Sequence, residues 1–110
     1  MTQHALVCDE IVNAIDTLIR PRIDVIQDQI DAGKPLVAAY LQYRFDEIGA
    51  RVSVVSDRTG HSSVHLYMVL NGRRTLSDRA AEAITQTYPD ISVVELAGLR
   101  ALVMVEKLKE

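Results

Sequence analysis

Helix-breaking residues recur along this chain at short intervals, and they limit the fold more than any other feature. Asp31-Ala32-Gly33-Lys34-Pro35, Gly49-Ala50, Thr59-Gly60-His61, Asn71-Gly72 and Tyr88-Pro89-Asp90 each combine residues that stop a helix. Between these stops the apolar residues keep helical spacing. Val7, Ile11, Ile15, Leu18 and Ile19 form one stripe, and Ile23, Ile26 and Ile30 form the next. Pro21 interrupts the first run, because a proline inside a helix loses a hydrogen bond and clashes with the preceding turn. It predicts a break or kink near Arg20.

The same reasoning predicts a helix over about 36–48, with Leu36, Ala39, Tyr40, Tyr43 and Ile48 inward, and a short one over 52–58. Ser62, Ser77 and Ser92 then read as N-caps of helices reaching Leu70, about residue 88 and about Lys109. No segment alternates as a strand does, and there is no internal repeat. The expected class is all-α.

With 110 residues and 48% hydrophobic side chains, the chain can build one core. It has no tryptophan and one phenylalanine, so that core must be aliphatic. The single cysteine, Cys8, has no partner for an internal disulfide and reads as a plain residue on the apolar side of its helix. Together with a start that lacks signal-peptide character and the absence of a membrane-length apolar run, this predicts a cytoplasmic protein.

The net charge is −3, but it is unevenly spread. Residues 35–79 hold six arginines against four acids, while both flanks are acidic. The middle is thus the cationic part, and arginine suits phosphate contact.

That middle contains RVSVVSDRTGHSSVHLYMVLNG, residues 51–72. Two short helices joined by a tight turn must share a small core, and the turn needs a residue that accepts positive φ. Gly60 supplies it. Val55 lies five residues before the glycine, Leu66 six after and Val69 nine after, all at inward positions. Ser56 is small enough to let the helices approach. Asn71-Gly72 stops the second helix, and Arg73-Arg74-Thr75-Leu76-Ser77 leads to the next.

These spacings together resemble the helix-turn-helix of lambda repressor, Cro and related phage-repressor-like regulators. The resemblance covers about residues 36–100 and implies a five-helix bundle. Residues 1–34 then form an N-terminal helical extension, serving as a dimerisation surface or a cover, and 35–110 the DNA-binding domain. The chain differs from the family in carrying Ser56 where alanine is usual and Val52 where glutamine often contacts phosphate.

The resemblance implies that the helix from Ser62 to Leu70 enters the major groove of double-stranded DNA. Ser62, Ser63, Val64, His65, Tyr67 and Met68 are then the base-reading candidates. Arg51, His61, Asn71, Arg73 and Arg74 are the phosphate-contacting ones. A reading surface without Arg, Gln or Asn implies moderate specificity, with much of the affinity coming from the backbone and from DNA shape. The implied activity is transcriptional regulation as a homodimer, of phage or bacterial type. The alternative is a helix-turn-helix-shaped protein-interaction module, antitoxin-like, with little DNA binding.

Competing chemistry is weakly supported. His61 and His65 share a helix face, but HSSVH offers no carboxylate and no third ligand, so no metal is expected. Ser56, Asp57 and His61 are close in sequence without the ordering a catalytic triad needs. No cofactor motif is present, and an enzyme is not expected. The last helix is apolar on most sides, through Val93, Val94, Leu96, Leu99, Leu102, Val103, Val105 and Leu108, which predicts a second packing partner such as another subunit.

Overall fold

The structure, a computed structural model, describes the backbone of residues 3–109 and the side chains of residues 9–105. Its elements are α1 (Gln3–Ala14), a π turn (Ile15–Ile19), α2 (Arg20–Asp31), α3 (Leu36–Ile48), α4 (Val52–Thr59), α5 (Ser63–Leu70), α6 (Asp78–Thr87) and α7 (Val93–Lys109). Among the described residues there is no strand, and no helix is long and apolar enough to cross a membrane. The side chains of Val7, Cys8 and Leu108 lie outside the described residues.

The disturbance expected near Arg20 is present, with α2 starting at that residue, but it is not an open break. The chain instead widens into a π turn, in which the Arg20 N–H bonds the Ile15 carbonyl. Proline then falls in the first turn of α2, directly after the widened turn, where the regular hydrogen-bond ladder is already interrupted. Side chains take up carbonyls around the widened turn. Thr17 Oγ1 donates to the Asn13 carbonyl at 2.8 Å, and Arg22 Nη1 donates to the Leu18 carbonyl at 2.7 Å.

α1 and the π turn pack on α7, and α2 packs on α3, so the N-terminal helices cover those two. Gly98 of α7 permits a close approach to the π turn. A Cβ there would lie 2.9 Å from Ile19 Cδ1 and 3.1 Å from Ile15 Cγ1. The core runs through Ile19, Ile26, Tyr40, Phe45, Val55, Leu66, Ile84, Ile91 and Leu99. Each large aliphatic side chain buried this way contributes about 1.5–3 kcal/mol. α4 packs on α5 and α6, α3 on α5 and α7, and α6 on α7.

One polar cluster crosses that core. Arg44 of α3 grips the Glu95 carboxylate of α7 with two donors, Nε to Oε2 at 2.9 Å and Nη2 to Oε1 at 3.2 Å. Both residues are buried. Nη2 also bonds the Asp90 carbonyl, which fixes the α6–α7 connection, and the Tyr40 hydroxyl donates to Glu95. Burial first, and the Glu95 carboxylate second, push the Tyr40 phenol far above its ordinary range.

Further out, Glu47 accepts from Arg44 Nη1 at 3.2 Å and Arg22 Nε at 2.7 Å. Partial burial opposes ionisation of Glu47, but the two arginines outweigh it and hold the carboxyl below its usual value. The cluster therefore joins α2, α3 and α7.

Candidate nucleic-acid interface

The turn between α4 and α5 is fixed by hydrogen bonds made by small polar residues. Gly60 adopts φ +78°, and a Cβ there would meet nothing within 4 Å. Glycine is required for its backbone conformation, not for space. Thr59 Oγ1 donates to the Val55 carbonyl at 2.7 Å, and Ser56 Oγ donates to the His61 carbonyl at 2.5 Å. Ser56 thus does more than stay small: its hydroxyl ties α4 to the start of the next segment. Ser62 is extended, and its Oγ accepts the His65 N–H at 3.1 Å, capping α5.

This turn aims α5 so that its two faces separate. Val55, Leu66 and Val69 are buried at 0%, 2% and 3% exposure, whereas Val64 and Tyr67 are 63% and 54% exposed. Ser62 is exposed, and Ser63, His65 and Met68 are half-buried. The His61 and His65 rings stack with centroids 6.0 Å apart. Among the described residues no group of three His, Cys, Asp or Glu is placed to hold a metal. The Ser56 hydroxyl bonds the backbone of His61, not its ring, so these residues are not arranged as a triad.

α5 ends at Asn71 and Gly72, and Gly72 is needed twice over. Its φ is +78°, and a Cβ would lie 2.6 Å from Pro35 Cγ and 2.7 Å from Pro35 Cδ. The stop is therefore wedged against the start of α3. Beyond it, the Met68 carbonyl accepts both the Arg73 N–H at 2.8 Å and the Arg74 N–H at 3.2 Å. That fixes the backbone of the arginine pair while both side chains stay exposed. Neither forms an ion pair among the described residues.

Arg51, also exposed, sits at the N-cap of α4, whose first turn has no side-chain cap. Asn71 is exposed and His61 half-buried. Of the six arginines in 35–79, Arg44 is internal and adds nothing to the surface charge, which the segment count cannot reveal. Arg58 lies 6.0 Å above the Tyr88 ring.

Arg100 has no place in the sequence reading, yet it shapes this region. Its Nη2 donates to the Leu76 carbonyl at 3.0 Å, and its Nη1 to Asp78, so it anchors the loop that carries Arg73 and Arg74. No signal near Arg100 in the sequence marks a bond to a carbonyl 24 residues earlier.

Comparisons with protein-family models, curated proteins and solved structures find no match. Function must be argued from the geometry of this surface.

Proposed function

We propose that the chain binds double-stranded DNA as a homodimer and regulates transcription, with α3–α7 arranged as in the phage-repressor-like regulators. The supporting observation is that α5 presents an outward face beyond a hydrogen-bonded turn, flanked by arginines without acidic partners. In this reading the N-terminal half of α5 enters the major groove. Ser63 offers a hydroxyl to base edges, and Val64 meets a thymine methyl. Arg51, Arg73, Arg74 and Asn71 hold phosphates, helped by the open first turn of α4.

A single short helix covers few base pairs, so a second subunit multiplies affinity. Val93, Met104 and Val105 of α7 are exposed and supply apolar area for a dimer contact.

A second reading, a protein-interaction module, draws support from the exposed Val64 and Tyr67, which would equally suit an apolar partner. Selection of bound sites from random duplexes separates the two. DNA binding as a dimer returns a palindrome with half-sites about 10 base pairs apart. Recovery of no enriched motif and no duplex favours the interaction module.

A further inference from the structure

A groove of about 1010 Å³ opens between α2, the start of α3, α7 and the loop after α5. Its floor is apolar, formed by Ile23, Ile30, Leu36, Leu76, Leu102 and Val103. Four arginines line the groove as well, Arg20, Arg73 and Arg74 exposed and Arg100 half-buried, and no described lining residue is acidic. In a chain of net charge −3, four arginines and no acid among the lining residues of one cavity is a marked local asymmetry. Two of the four are occupied, Arg20 by Asp16 and Arg100 by Asp78. Arg73 and Arg74 make no ion pair among the described residues.

The volume suits a small ligand, for which pockets of about 300–1,000 Å³ are usual. An apolar floor beneath unpaired guanidiniums calls for a ligand with both properties. We infer that the groove binds a small amphiphilic carboxylate, its apolar body against Leu102 and Val103 and its anionic head on Arg73 and Arg74, and that this ligand competes with DNA.

The competition, though not the ligand site itself, rests on the DNA reading above. The same two guanidiniums cannot serve a carboxylate and a phosphate at once. Ligand and duplex must then weaken each other by the same factor.

The probes are decanoate, decanol as the uncharged body and succinate as the charge without a body, added to the full chain. Amide shifts in NMR spectra are followed at fixed low protein concentration, without DNA. Decanoate is expected to shift Gly72, Arg73, Arg74 and Leu102, and to bind about tenfold more tightly than decanol. Succinate should leave them unmoved.

Val103→Trp and Gln27→Trp add bulk to the groove from α7 and α2 and should each cost at least about tenfold in decanoate affinity, with native circular dichroism. Saturating decanoate should weaken binding to a random-sequence duplex about tenfold or more.

Equal binding of decanol and decanoate, shifts scattered over the surface, or undiminished binding by both folded variants overturns the ligand site. Shifts that depend on protein concentration assign the groove to a second copy and overturn it too. Decanoate bound in the groove of a chain that binds no duplex supports the site and overturns the competition with the DNA reading.

Discussion

Gly60 and Gly72 share the same backbone angle but not the same surroundings, which makes an internally controlled test of the fold. Both have φ +78°, but only Gly72 has a neighbour within 4 Å of an added Cβ. Gly60→Ala therefore costs only the left-handed strain, about 1–2 kcal/mol. Part of that is offset because alanine restricts the unfolded chain.

Gly72→Ala carries the same strain and a collision besides. The Cβ would lie 2.6 Å from Pro35 Cγ, in a rigid ring, and ordinary contact begins near 3.4 Å. Pro35 caps α3, and its carbonyl accepts the Ala39 N–H at 3.0 Å, so the ring cannot move without disturbing that helix start. Overpacking of this kind adds about 1–3 kcal/mol. The expected totals are about 1 kcal/mol for Gly60→Ala and about 2–4 kcal/mol for Gly72→Ala.

Urea unfolding followed by circular dichroism reads the difference. Pro35→Ala in the Gly72→Ala background should recover about 1 kcal/mol or more, as a coupling energy in a double-mutant cycle. Equal losses at the two glycines, or no recovery with Pro35→Ala, would refute the packing of the α5 stop against α3.

Three further outcomes follow from the polar groups. Glu95→Gln removes the buried one of Arg44's two carboxylate partners, leaving only the more exposed Glu47, and should cost up to about 3–5 kcal/mol in urea unfolding, while Arg44→Met combined with Glu95→Leu should cost less than Glu95→Gln alone. Because the Tyr40 phenol is raised in the folded state, its contribution is fully present below the unfolded value near 10 and is lost as pH rises above it. Stability should fall above about pH 10, and less steeply in Tyr40→Phe. Tyr88 carries a buried hydroxyl with no hydrogen-bond partner among the described residues, so Tyr88→Phe should be neutral or stabilising by up to about 1 kcal/mol, checked by thermal unfolding.

What the sequence made legible was local. Helix stops at Gly33, Gly60 and Gly72 and the serine caps at 62, 77 and 92 act through the backbone within a turn of themselves, so their signals lie in a few adjacent residues. The inward positions Leu66 and Val69 follow from helical period alone. Long-range partners left no such trace. Arg44 and Glu95 lie 51 residues apart, and each alone reads as a solvent-facing charge. Pro35 wedges Gly72 from a different helix, so the spacing that marks a helix stop says nothing of the collision.

Pro21 shows the same limit, since proline chemistry predicts a disturbance but not that it is absorbed as a π turn. At the candidate interface, exposure of Val64 and Tyr67 followed from the pattern. The groove behind Arg73 and Arg74 did not, because four separate segments build it.

Salt dependence of duplex binding tests the DNA reading most directly. Arg51, Arg73 and Arg74 give about six phosphate contacts per dimer, so log Kobs should fall against log salt with a slope of about −5. Arg73→Gln with Arg74→Gln should reduce that to about −2 while leaving the chain folded. Absence of duplex binding at low salt, or a slope that this double substitution leaves unchanged, would contradict the account.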